Sequence, residues 1–381
     1  MSKYKIIDVD RHVIEPLEMW QQYVSPEIYE KYPIWMKFDT EEKALARAKK
    51  MGVPEPVFVP PEYMIGQHET LLHWGEDIKL ACLEGNNESE RKLAMYPDTQ
   101  LDKMTKDGIH RACILPTFGN NIIHHEKLPD HVSVAFADAY NKWLRDYCAL
   151  DPEKLIAVGV ISRHDPKKML DQLRRIIDYG WSCIALRPEK IRGRLLGDPE
   201  YEAFWDLCDE HNISVAIHGG THAVLNTVGT DHFTSHFALH ACSHPMEAQM
   251  AFVSLLESGV LERHPNLKFA FLEAGASWLP SWLCRLDTIC FPQFRSLTRA
   301  HIKQLPSEYF KRQCWIAIEP GEPNLREVIN WVGHEKLIFG SDFPHPDHEH
   351  IDTTKLEQVL SMLTDDEVRA ILEVNPVSFL S

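Results

Sequence analysis

Eight short apolar runs, each closed by turn residues and separated by longer amphipathic stretches, constrain this chain more than any other feature. They are Lys5–Asp10, Ala112–Thr117, Ile156–Ser162, Cys183–Pro188, Ser214–Gly220, Leu267–Gly275, Cys314–Pro320 and Leu337–His345. Most are apolar along their whole length, which is the pattern of parallel strands buried on both faces. The stretches between them read as helices with stop signals. Pro166–Tyr179 ends at Gly180, Pro199–His211 follows Gly197-Asp198, and Glu247–Ser258 ends at Gly259. Strands and helices alternating in this way predict an α/β fold, a (β/α)8 TIM barrel, with a doubly wound sheet as the alternative. The length of 381 residues suits a single barrel domain over 1–381 with insertions.

Two segments exceed a minimal barrel. One is a long insertion after strand 1, Glu15–Tyr96, rich in Pro, Trp and Tyr; the other is an extended loop after strand 5, Thr221–His244. Loops after barrel strands open onto the catalytic face, so both are expected to cover the pocket, with a subunit interface as the other reading. The net charge of −16 argues against a nucleic-acid partner, which would require clustered Lys and Arg. No apolar run approaches the roughly 18 residues of a membrane span. Met1–Asp10 has no basic leader followed by an apolar stretch, and the nine cysteines include no CxxC pair. The expectation is a cytoplasmic protein with reduced thiols that acts on a small molecule.

Several of the 21 histidines fall just past predicted strands. In Asp8-Val9-Asp10-Arg11-His12-Val13-Ile14-Glu15-Pro16, Asp10 and His12 are two apart and project to one side of a strand. His218 closes the fifth run and is followed by Gly219-Gly220, which lets backbone approach a site closely. Asp342 stands at the end of the eighth run. Each has an ordinary structural reading as a hydrogen-bonded strand-end residue. Together, at matching ends of three strands, they form the mixed imidazole and carboxylate set that holds a catalytic divalent ion. Glu273 and Glu319, ending strands six and seven, add carboxylates to the same face, where they either join the site or bond to strand-end backbone or Arg187. Oxygen-rich sites favour Mn or Fe over Zn, and this much negative charge makes two ions conceivable. Arg187 is a candidate for a substrate carboxylate. His222 and His345 are candidate pocket groups, as are His232, His236, His240, His124 and His125.

The chain resembles the amidohydrolase superfamily, in the branch that contains aminocarboxymuconate semialdehyde, resorcylate and carboxyvanillate decarboxylases. The resemblance runs through Ala139-Tyr140-Asn141-Lys142-Trp143-Leu144, Asp151-Pro152-Glu153-Lys154-Leu155, Leu196-Gly197-Asp198-Pro199, Gly259-Val260-Leu261-Glu262-Arg263-His264-Pro265 and Gly340-Ser341-Asp342-Phe343-Pro344-His345. It implies that the family's strand-one H-x-H motif falls on Asp10 and His12, with a carboxylate in the first position. It also implies His218 and Asp342 as metal ligands, Asp342 as proton acceptor, and His244 as a catalytic histidine. Strand six departs from the family pattern, since Glu273 stands where His is frequent. Glu15, Glu273, Glu319 and His244 are therefore the candidate ligands of a second ion.

Three functions compete. The first is a metal-dependent hydrolase or non-oxidative decarboxylase acting on a small carboxylated or aromatic substrate. The second is a non-haem di-iron oxygenase on the same barrel. The third is a non-catalytic partner subunit. A homo-oligomer, most simply a homodimer, is expected from the resemblance and from the frequency of symmetric dimers.

Overall fold

The computed structural model of the chain describes residues 3–67, 69–71, 88–221, 224–319, 322–345, 356 and 360–381. Eight parallel strands appear in the expected order: β1 (Ile6–His12), β2 (Ile109–Leu115), β3 (Leu155–Ala157 and Gly159–Val160), β4 (Cys183–Leu186), β5 (Ser214–His218), β6 (Lys268–Leu272), β7 (Cys314–Ile318) and β8 (Leu337–Phe339). Neighbours in sequence are neighbours in space. β1, β2 and the first half of β3 form one parallel sheet, and the second half of β3 through β8 forms the other. The architecture is a distorted (β/α)8 barrel. The break in β3 has a local cause. At Gly159 an added Cβ would lie 2.6 Å from Ile176, so the Pro166–Asp178 helix packs closely against the strand there. The side chain of Asn141 replaces the lost ladder, donating to Val160 O at 2.8 Å and accepting from Val160 N at 2.9 Å.

The barrel closes between β8 and β1 beyond the last regular residue of β8. His12 N donates to Phe343 O at 2.7 Å and Asp342 N donates to Asp10 O at 2.8 Å. Inside the barrel, small and apolar residues such as Val9, Cys183, Ala216, Ala270 and Ile338 form one packed cluster. Phe379 of the C-terminal helix Asn375–Leu380 joins it from the amino ends of the strands, where Ser214 Oγ donates to Phe379 O. With that end filled, the polar side chains of the strands collect at the carboxyl ends.

The 15–96 segment contains an antiparallel sheet of Ile34–Lys37, Glu62–Ile65 and Glu69–Thr70, short half-buried strands that escape a search for apolar runs. It packs on the segment after β2: the Tyr63 and Phe118 rings lie 4.1 Å apart, and His125 Nε2 is 3.0 Å from Thr70 O. The extended loop after β5 is shorter than expected. Helix begins at His236 and runs to Glu257, with Ser235 Oγ accepting from Ala238 N as its cap. Among the described residues no helix is long and apolar enough to cross a membrane.

Candidate metal centre

Asp10 and His12 sit two apart on β1 and are both buried. The His12 ring is held by its Nδ1, 2.8 Å from the carbonyl of Pro116. A carbonyl only accepts, so Nδ1 carries the proton and Nε2 presents a lone pair. His218, the last residue of β5, is fixed in the same way, with Nδ1 3.0 Å from Gly219 O. Asp342 follows β8 with φ of +50°, a left-handed conformation that costs a non-glycine residue free energy and turns its carboxylate back over the strand end. Asp8 anchors this turn: its carboxylate accepts from Ser341 N at 2.9 Å and Ser341 Oγ at 2.6 Å.

The four side chains converge. His12 Nε2 lies 3.2 Å from both Asp10 Oδ1 and Asp342 Oδ1, and His218 Nε2 lies 3.3 Å from Asp10 Oδ1. One ligand atom from each of the four residues lies within 4.8 Å of every other. Yet Asp10 Oδ1, His12 Nε2 and His218 Nε2 make no hydrogen bond despite their burial. Buried polar atoms that approach one another without bonding are aimed at a common point, and two imidazole lone pairs beside two carboxylates fit a divalent cation. This cluster is the site of a divalent metal cofactor.

Electrostatics agree. Burial by itself would raise the Asp10 and Asp342 carboxyls. The charges of His218 and His12 around Asp10, and of His345 and His12 around Asp342, outweigh it and hold both well below the usual range. Burial lowers His12, but contacts with Asp10 and Asp342 win and raise it well above its ordinary value. The pocket is thus tuned to place positive charge between these carboxylates, which a cation supplies.

Glu273, just past β6, also takes a left-handed turn, with φ of +47°. Its carboxylate lies 3.2 Å from His218 Nε2 and 3.4 Å from His244 Nδ1. A second set of ligand atoms within 4.8 Å comprises His12, Glu273, Asp342 and His345, sharing two members with the first. The groups therefore build one compact centre. His345 bridges Asp342 Oδ1 through Nδ1 at 2.7 Å and Thr117 Oγ1 through Nε2 at 2.9 Å. His244, on the helix after β5, donates from Nδ1 to Glu273 O at 2.9 Å, and its Nε2 is buried without a partner. Burial and the charge of His240 push it down to about 3, so this ring is neutral and its Nε2 accepts.

The profile of the family described as Amidohydrolase matches residues 7–381, nearly the whole chain. The chain belongs to the amidohydrolase family. It is 24% identical over 268 residues to 2-amino-3-carboxymuconate-6-semialdehyde decarboxylase of Dictyostelium discoideum, covering 69% of this chain and 70% of that one. Its fold is similar to that of an amidohydrolase from Mycobacterium avium subsp. paratuberculosis K-10, with a TM-score of 0.77 at 20% identity over all of both chains. It is also similar to 5-carboxyvanillate decarboxylase of Novosphingobium aromaticivorans DSM 12444, crystallised with bound manganese. There the TM-score is 0.68 at 14% identity, covering 99% of this chain and 97% of that one. Metal-dependent chemistry, hydrolytic or decarboxylating, is what this amidohydrolase centre is built for.

Other residues of this amidohydrolase are placed differently from the sequence expectation. Glu15 belongs to neither set of converging ligand atoms. Its carboxylate is buried and accepts from the backbone N–H groups of Thr117, Phe118 and Gly119 at 3.1, 2.9 and 2.9 Å, capping the Phe118–Ile123 helix that follows the neighbouring strand. Glu319 belongs to neither set of converging ligand atoms; its backbone N donates to Glu322 Oε2 at 3.0 Å. Arg187 pairs with Glu189 rather than with Glu319, and also donates to the carbonyls of Gly219 and Gly220 at 3.1 and 2.8 Å. His222 lies outside the described residues. Sequence reasoning missed Asp8, Glu189 and Glu247. For Asp8 the signal was present, since it precedes Asp10 by one strand period.

Proposed function

We propose that this amidohydrolase is a non-oxidative decarboxylase of a small aromatic or enolic carboxylic acid, working with one divalent cation, Mn²⁺ or Fe²⁺ in preference to Zn²⁺. The observation that carries the reading is the single compact centre of Asp10, His12, His218 and Asp342, with Glu273 beside it. Three carboxylates to two imidazoles favour a harder ion. The manganese in the carboxyvanillate enzyme and the decarboxylase activity named for the Dictyostelium relative support the same choice. Among the described residues Glu15, Glu319 and His244 build no separate second set, which weighs against a di-iron oxygenase.

When bound, the cation supplies Lewis acidity toward a substrate carboxylate and an adjacent oxygen. The protein's own groups do the rest. Neutral His244 accepts from a substrate hydroxyl through Nε2. As the C–C bond to the carboxylate breaks, its electron pair stays on the ring carbon and CO2 leaves. That carbon then takes a proton drawn from solvent and handed on through His345 and Asp342. Arg187 faces the rest of the substrate. Hydrolysis is the second reading: the same buried Asp342, close to His345, would take a proton from the attacking water. The antiparallel sheet of the 15–96 segment would cover the pocket, and a cytoplasmic homodimer completes the picture.

The test pairs two measurements. Protein purified without chelator is analysed for metal per chain, and CO2 release is followed from hydroxybenzoates and aromatic dicarboxylates. One ion per chain with stoichiometric CO2 and no O2 uptake is expected. Two irons per chain with O2 consumption would overturn the proposal in favour of oxygenation. A fully loaded centre that releases no CO2 from any of these acids would also defeat it.

A further inference from the structure

The helix that follows β5 carries a row of histidines for which the metal centre alone does not account. His236, His240 and His244 stand four residues apart on it, and His232, four before His236, lies just ahead of its cap. Residues at this spacing stack on one face of a helix, one turn above the next. The rings follow that pattern. His236 and His240 have centroids 5.5 Å apart and cross at 61°, and His240 and His244 lie 4.8 Å apart at 34°. Four residues rise about 6 Å, so the three rings span about 12 Å along the helix.

Exposure falls along the row. The His232 side chain is 73% exposed, His236 and His240 are half-buried, and His244 is 8% exposed. The inner end meets the metal centre. His244 Nδ1 donates to Glu273 O, and the Glu273 carboxylate lies 3.2 Å from Nε2 of the ligand His218. Because Nδ1 carries the proton, His244 Nε2 presents a lone pair, and it is buried with no hydrogen-bond partner. Such lone pairs make imidazole the commonest side-chain ligand of metal ions.

A buried centre poses a problem of entry. Its four ligand residues Asp10, His12, His218 and Asp342 are at most 5% exposed, so a hydrated cation must give up water before it reaches them. A succession of imidazoles replaces that water one ligand at a time. Charge sets the direction. The amino end of the helix, at His236, carries partial positive charge, and the carboxylates of Glu273, Asp10 and Asp342 lie beyond the other end of the row. The row itself does not retain the ion. Among the described residues His236, His240 and His244 belong to no converging set of ligand atoms, so a cation there has too few ligands to stay.

We propose that His236, His240 and His244 form the path by which the divalent cation enters and leaves the metal centre, with His240 as the station between solvent and the buried ligands. Exchange of the ion by this route is independent of which reaction the loaded centre performs.

The experiment follows two rates for the wild type and for His236→Gln, His240→Gln and His240→Glu. One is Mn²⁺ uptake by chelator-stripped protein, read from loss of the free-ion electron paramagnetic resonance signal; the other is Mn²⁺ release from loaded protein into excess chelator. A residue that lines the path without binding the resting ion changes both rates by one factor and leaves their ratio alone. His240→Gln is expected to slow uptake and release at least tenfold each, with the Kd for Mn²⁺ and the Tm of the loaded protein unchanged. His236→Gln slows both to a smaller extent. His240→Glu, close to Gln in shape but carrying an anionic ligand atom, restores most of the rate. Wild-type uptake and release in His240→Gln overturn the proposal and route the ion through the barrel mouth past His345. Faster release with a weakened Kd overturns it as well, and makes His240 a ligand of the resting ion. Equal slowing in the Gln and Glu variants would mark His240 as a packing residue and also defeat it.

Discussion

Replacing Gly340 by alanine tests the metal centre without touching a ligand. Gly340 is the first residue beyond β8 and packs directly on β1. A Cβ built on it would lie 2.5 Å from the Cβ of Asp10 and 3.6 Å from its Cα. Ordinary carbon contacts sit at about 3.5–4.0 Å, so the two strands must part by about 1 Å. Neither partner is a flexible side-chain end, and both strands are tied at this point by Asp342 N donating to Asp10 O. Overpacking of this kind costs about 1–3 kcal/mol of stability. Its effect on metal binding is larger, because ligand distances tolerate only about 0.2 Å, and the displaced residue carries Asp10 Oδ1, a member of the converging set. We expect Gly340→Ala to fold, with a lowered Tm, and to lose at least tenfold in Mn²⁺ affinity. The assay is metal content by elemental analysis after dialysis against graded chelator, with circular dichroism to confirm the fold. Full metal retention together with an unchanged Tm would refute the claim that this contact positions Asp10.

Two further outcomes follow from the same structure. Glu247 is buried, accepts from Val228 N at 2.6 Å, and has its carboxyl raised to about 7 by burial and the charge of Glu189. Between about pH 4.5 and 7 the folded chain thus holds a proton that the unfolded chain has released, so stability falls as pH rises through that window. Urea denaturation should show a loss of about 1–3 kcal/mol attributable to this group, and Glu247→Gln should flatten that part of the slope; an identical slope in the variant would remove Glu247 as the cause. Chelation should destabilise the protein because the cation binds the folded centre: free Mn²⁺ at 100 times its Kd contributes about 2.7 kcal/mol. Thermal melts before and after chelator should differ by several degrees and recover on Mn²⁺ addition, and coincident melts would show that the converging side chains hold no ion.

What was legible in the sequence follows from which groups announce themselves locally. A strand of period two puts Asp10 and His12 on one side whatever the rest of the chain does, and His218 and Asp342 close apolar runs that hardly admit another reading. The strand ends were less legible. The runs through Gly275 and His345 continue past Leu272 and Phe339, where the strands end, because the left-handed turns at Glu273 and Asp342 leave no mark in the sequence. What needs a partner far along the chain was not legible at all. Glu15 looks like a ligand until the backbone of Thr117, Phe118 and Gly119, about a hundred residues away, takes its carboxylate. Arg187 stood equally open to Glu319 or a substrate, and it is Glu189 two residues on, not Glu319, that takes two of its five N–H donors. These two cases share a cause. A charged residue at a barrel mouth is either satisfied by protein or left for a ligand, and composition is the same in both. Only the count of donors and acceptors separates them. That count pairs Glu15 with backbone, leaves Asp10, His12 and His218 with buried unpartnered atoms, and singles out His124, which the sequence ranked among the lesser histidines.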